Sequence, residues 1–151
     1  MPLQPNTDYV YVPTVDVTDE ILATGATKAC LVGTKGFLFI VPVSAVNIQP
    51  RGGIETWWKI GTQDPRTAVE AMLADPGLTL EQLEKALQGL LAGMPQRRVL
   101  NVHDAEKFQI KTGWLTGGLT FKLPGEARKT LNLRGKENKL AVKAFYAGLE
   151  R

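Results

Sequence analysis

The chain has 151 residues, of which 44% are apolar and 22% charged; that composition excludes the fibrous, low-complexity and disordered classes. Its length suits one domain over residues 1–151 with a buried core of its own, and the lone cysteine, Cys30, excludes an internal disulfide. The net charge of +3 is unevenly spread: residues 1–96 carry 6 Lys and Arg against 10 Asp and Glu, net −4, while residues 97–151 carry 12 against 5, net +7.

Met1 to Asn6 has neither the basic start nor the apolar run of a signal peptide. The longest apolar run, Phe37 to Val43, is broken by Pro42 and falls short of the ~20 residues that span a bilayer. The expectation is a cytoplasmic protein.

Tyr9 to Val12 and Val15 to Val17 are β-rich pieces separated by Pro13, which suits an edge strand or a kinked approach to the sheet. Thr18-Asp19-Glu20 before Ile21-Leu22-Ala23 reads as a capped helical turn ended by Gly25. Lys28 to Thr34 and Gly36 to Val41 form two apolar strands around Thr34-Lys35-Gly36, with Gly36 expected to supply the positive φ of a tight hairpin. Cys30 lies inside the first of these runs and reads as a small buried hydrophobe.

Val43 to Ile48 reads as a further short strand, and Pro50-Arg51-Gly52-Gly53 as a loop that lacks the Lys-Ser or Lys-Thr of a phosphate-binding turn. Ile54, Trp58 and Ile60 then share one parity, which places Trp57 among the polar neighbours Glu55 and Lys59. An exposed Trp is enriched at interfaces.

Residues 64–93 switch to a helical period. Asp64-Pro65 is a helix start, Ala68, Val69, Met72 and Leu73 form a stripe, and Asp75-Pro76-Gly77 ends it. Thr79 with Gln82 makes a capping box for a second helix whose Leu80, Leu83, Leu87, Leu90 and Leu91 repeat at helical spacing. This is a helical hairpin inserted between two blocks of strands, its leucine stripe a packing face. After Arg97-Arg98, Val99 to Val102 is a short strand.

The last third alternates again. Phe108, Ile110, Thr112 and Trp114 share a parity, as do Leu119, Phe121 and Leu123, and then Leu131 and Leu133. Gly117-Gly118 and Pro124-Gly125 are expected to be the turns. Gly135 opens a helix with Ala141, Val142, Phe145 and Leu149 on one stripe. The fold class is therefore α+β: a bent antiparallel sheet or small barrel, a C-terminal helix packed on it and an inserted helical hairpin.

Catalytic chemistry has few carriers. His103 is the only histidine, and with Asp104 it is the only acid–base pair a small hydrolase would use. The chain has no His-x-x-x-His, Cys-x-x-Cys or Gly-x-Ser-x-Gly spacing. Neither a metal nor a cofactor is expected, and the reading is a non-catalytic binding module.

The strand block KACLVGTKGFLFIVPVSAVNI, the later KFQIKTGWLTGGLTFKL and the closing helix GKENKLAVKAFYAGL together resemble a bacterial pleckstrin-homology-like or GRAM-like domain over roughly residues 26–60 and 99–150. That resemblance implies seven strands in two near-orthogonal sheets, with the C-terminal helix plugging one open end. The hairpin at 64–93 departs from it, as does a first strand pair without the basic cluster that such domains use for phosphoinositide heads.

The parity opposite the apolar one carries Lys111, Lys122, Arg128 and Arg134. With Trp57 at their margin they are the candidate binding residues. An acidic protein surface is the first expected partner and an anionic membrane the second; nucleic acid comes third, because that parity lacks the aromatic residues on which bases stack.

Overall fold

The computed structural model describes residues 3–17, 28–42, 65–92, 98–113 and 117–151. The strands are β1 Val10–Val17, β2 Lys28–Gly33, β3 Phe37–Pro42, β4 Arg98–Asn101, β5 Lys107–Thr112, β6 Gly117–Lys122 and β7 Lys129–Leu133. The helices are α1 Pro65–Ala74, α2 Leu80–Ala92 and α3 Lys136–Phe145. The seven strands make one antiparallel sheet in the order β4-β3-β2-β1-β7-β6-β5, curled into a half-barrel.

Two kinds of strand build this sheet. In β2 every residue from Ala29 to Gly33 is buried, and Leu38 to Val41 of β3 are buried likewise; a strand covered on both faces is apolar at both parities. Ala29, Leu31, Leu38 and Ile40 point into the curl with Phe108, Leu119, Phe121, Leu131 and Leu133. Cys30, Val32, Phe39 and Val41 face the other way, against Val69, Met72, Leu83, Leu87, Leu90 and Leu91 of the α1–α2 hairpin. The expected capping box closes α2: Gln82 N–H donates to Thr79 Oγ1 at 3.2 Å and Thr79 N–H to Gln82 Oε1 at 2.9 Å. In β5, β6 and β7, by contrast, a single face is apolar.

Three local expectations are corrected. Of the two readings of Pro13 the edge is overturned and the kink remains: β1 lies between β2 and β7, and its register shifts between Val12 and Val15, so the ring nitrogen falls in a bulge where the ladder asks no N–H of it. Gly36 is not among the positive-φ residues. Gly117 and Gly118 are strand residues paired with Thr112 and Lys111, and a Cβ on Gly118 would stand 2.0 Å from the Leu131 carbonyl oxygen; glycine here permits close approach of β7. The Pro124-Gly125 turn forms as expected, with Gly125 at φ 78°. Val102 leaves the strand for a 3-10 turn at Val102–Asp104. The readings over 18–25, 43–48, 50–60 and at Asp64 and Trp114 lie outside the described residues.

α3 closes the curl. Val142 and Phe145 are buried, with Ala141 and Leu149 packed beside them. The deepest residue of this end is Tyr146, whose ring meets Phe108 and Phe145 edge-on at 4.9 Å each. Its hydroxyl lies 2.8 Å from the Thr34 carbonyl oxygen and 3.2 Å from that of Phe37. The β2–β3 turn frees the Thr34 oxygen because Phe37 N–H donates to Thr34 Oγ1 at 3.1 Å instead, while the Phe37 oxygen also accepts from Thr34 N–H at 2.8 Å. The Thr34 hydroxyl in turn donates to Glu84 of α2 at 2.6 Å. Lys35 sits 4.0 Å above the Phe145 ring and donates to the Phe145 carbonyl.

Burial holds the Tyr146 phenol protonated well above its ordinary pKa of 10.0, and the Glu84 carboxylate pushes the same way. Burial does so for Tyr11 too, reinforced by its 2.5 Å hydrogen bond to Glu70. Because the folded value exceeds the unfolded one, the stability linked to each phenol is complete below the unfolded pKa and declines as pH rises above it. Tyr146→Phe should therefore lessen the loss of stability followed by urea denaturation above about pH 10.

Near neutrality the same substitution should cost about 1–3 kcal/mol for the stranded Thr34 carbonyl. A Cβ on Gly33 would stand 2.3 Å from the Tyr146 hydroxyl oxygen, so Gly33→Ala should cost less in the Tyr146→Phe background than in the wild type, with a coupling of about 0.5–3 kcal/mol. Equal costs in both backgrounds would show that the two do not meet. Truncating Phe145 to Ala should lower stability by ~3–5 kcal/mol.

Candidate functional site

Strand parity divides β5–β7 into an inner apolar face and an outer polar one. With Phe108, Ile110, Leu119, Phe121, Leu131 and Leu133 inside, the outer face takes Lys107, Gln109 and Lys111 from β5, Thr120 and Lys122 from β6, and Thr130 and Asn132 from β7. α1 and α2 lie instead over the outward side chains of β2 and β3, and Lys111, Thr130 and Asn132 are exposed.

Register arranges these side chains in rows across the strands. Lys107 stands directly opposite Lys122, and Arg128, exposed, precedes β7 on the parity of Thr130 at the same end. The middle row is uncharged: Gln109 faces Thr120, whose hydroxyl is 3.1 Å from that of Thr130. Lys111 lies opposite Gly118, which faces Asn132 in turn. Lys107 is the cation that the sequence reading left out, although its parity with Lys111 was there to be read.

The four expected cations differ in circumstance. Lys122 is ion-paired with Glu106 at 2.6 Å. Arg134 makes a two-pronged contact with Asp16, its Nε and Nη2 donating to the carboxylate at 2.7 and 3.2 Å. That hydrogen bond, with the attraction of the carboxylate, raises the guanidinium further above its already high pKa. Lys111 and Arg128 make no ion pair among the described residues. Lys107, Lys122 and Arg128 therefore cluster at one end of the face and Lys111 stands at the other, while Arg134 is committed to β1. Trp57 lies outside the described residues.

Like charges directly opposite in a ladder are destabilising, by tenths of a kcal/mol. The Lys107–Lys122 pairing is such a case, moderated by Glu106. An electropositive row kept on an open face at some cost in stability attracts anions by long-range steering.

His103 and Asp104 sit on the 3-10 turn, both exposed, with the His103 backbone N–H donating to Asn101 Oδ1 at 3.0 Å. Cys30 is fully buried in the layer beneath α1 and α2. Among the described residues no three His, Cys, Asp or Glu side chains gather as a metal site, and no helix is long and apolar enough to cross a membrane. Comparison with protein-family models, with curated proteins and with solved structures finds no match.

Lys107→Thr removes one charge of the like-charged pair and places a β-branched residue in the ladder. It should raise stability by about 0.2–1 kcal/mol at low salt, and the gain should shrink as salt screens the repulsion. Thermal melts at two ionic strengths measure both effects; a loss of stability at low salt would show that Lys107 is held favourably.

Proposed function

We propose that this chain is a non-catalytic binding module whose outer face on β5–β7 docks an acidic surface of a protein partner. The observation that carries this reading is the asymmetry of the sheet: helices cover the outer face of β2 and β3, while that of β5–β7 carries Lys107, Lys111, Lys122 and Arg128. The charge split between the two parts of the chain supports it. The strand order, with a closing helix against the curl, supports the pleckstrin-homology-like resemblance as a fold reading. Fold alone assigns no ligand, so the function rests on the face.

Exposed charges act mainly by steering, and salt screens them over about 8–10 Å near physiological strength. Binding to polyglutamate as a model acidic chain should therefore weaken as salt rises, and weaken strongly when Lys107, Lys111, Lys122 and Arg128 are all replaced by Gln. Vesicles containing anionic lipid and duplex DNA, assayed beside it, separate the other partner classes. Retention on the vesicles alone would move the reading to an anionic membrane surface, and unchanged binding by the quadruple variant would leave the face a solvated surface only.

A further inference from the structure

β5 is an outermost strand of the sheet. Such a strand presents a row of unpaired N–H and C=O groups to one side. Here that row is occupied by the end of the same chain. Phe108 N–H donates to the Arg151 carbonyl at 2.8 Å and Arg151 N–H returns a bond to the Phe108 carbonyl at 2.9 Å, the reciprocal exchange of an antiparallel ladder. One step along, side chains replace the missing backbone: Ile110 N–H donates to Glu150 Oε1 at 2.8 Å, and the Ile110 carbonyl accepts from Lys143 Nζ at 3.1 Å. Lys143 and Glu150 are themselves ion-paired at 3.1 Å. All four groups of Phe108 and Ile110 are thus satisfied by a segment that fills the place of a neighbouring strand without being one.

We infer that the β5 edge is the docking site for an extended, acidic segment of a protein partner, and that Glu150 and Arg151 hold it closed. This rests on the acidic-partner reading above and specifies how such a partner attaches. The edge shows what it accepts, namely one reciprocal backbone pair and one carboxylate beside Lys143. The outward side chains of an added strand would stand across from Lys107 and Lys111, whose charges select carboxylates there. The resident segment competes for the same backbone groups, so the apparent affinity of an incoming strand falls by the fraction of molecules in which the edge is open.

The probe is a labelled synthetic heptapeptide alternating Glu and Val, titrated into the wild type and into Glu150→Ala/Arg151→Pro. In that variant the carboxylate that accepts from Ile110 N–H and the Arg151 N–H that donates to the Phe108 carbonyl are both gone. The variant should bind at least about tenfold more tightly than the wild type, with NMR shifts centred on the amides of Phe108 and Ile110. The same peptide N-methylated at alternate amides should lose that binding, and a Lys-Val peptide should bind neither protein. If the double variant proves unfolded, Glu150→Ala alone carries the comparison, with faster hydrogen exchange expected at Ile110 and none of that change at Leu119 or Phe121. Equal binding by variant and wild type, undiminished binding of the N-methylated peptide, or no binding by either protein overturns strand docking. The acidic-partner reading fails separately, when polyglutamate binding survives the Gln substitutions on the outer face.

Discussion

A hydroxyl that must serve one freed carbonyl sets the geometry of this molecule. The β2–β3 turn diverts the Phe37 N–H to a threonine side chain, which leaves the Thr34 carbonyl without its backbone partner, while the Phe37 carbonyl keeps the Thr34 N–H. An unpaired buried carbonyl costs about 1–3 kcal/mol, and Tyr146 is the side chain that reaches it, at 2.8 Å. That requirement fixes the depth of the C-terminal end of α3. It also explains Gly33, because the space above that residue is taken by the phenol. Thr34 extends the same connection outward to Glu84, so the two helical layers on opposite faces of the sheet meet at one turn.

The two-sided cover of β2 and β3 decides the rest of the architecture. Strands apolar at both parities need a second layer, and the α1–α2 hairpin supplies it from within the chain. Strands apolar at one parity need none, and among the described residues no helix covers the outer face of β5–β7. Much of this could be read from the sequence, since the apolar runs at 28–41, the leucine stripe at 80–91 and the alternation at 108–133 each follow from periodicity. Where reading failed, the cause was tertiary. Pro13 reads as an edge signal until a bulge makes its missing N–H harmless, and Gly117-Gly118 reads as a turn until the proximity of Leu131 shows why a side chain is excluded. Tyr146 falls on the stripe of Val142, Phe145 and Leu149, four residues past Val142, but its hydrogen bond is to a turn 112 residues away, which no local period shows.

Parity shows part of the candidate face, and its electrostatics stay hidden. Parity alone places Lys111 and Lys122 outward. It cannot show that Arg134 is claimed by Asp16, a residue 118 positions earlier, because that contact depends on β7 pairing with β1. Nor can it show that Lys107 faces Lys122, since a register is set by hydrogen bonding between strands and a slip of one residue would exchange the faces. The local charge is therefore more concentrated at the Lys107 end than four evenly scattered cations would suggest.

An open, curled sheet has two edges, and here one residue ties them together. Arg151 pairs with β5 through its backbone, while its guanidinium donates to the carbonyls of Ala105 at 2.8 Å and Val102 at 2.7 Å, on the turn that follows β4. The backbone contact satisfies the edge, and the side-chain contact pins the chain leaving the opposite edge to it. Backbone pairing can be reproduced by any extended segment, because every residue other than proline offers the same N–H and C=O. The guanidinium contacts cannot, since they need a planar donor with several N–H groups at one position. A strand that displaced Arg151 from Phe108 would thus recover the lost ladder but not the bridge to Val102 and Ala105. The two halves of the half-barrel would stay joined by the β1–β7 ladder and by the chain running from β4 to β5, so occupancy of the β5 edge by another chain would be felt first at the Val102–Ala105 turn.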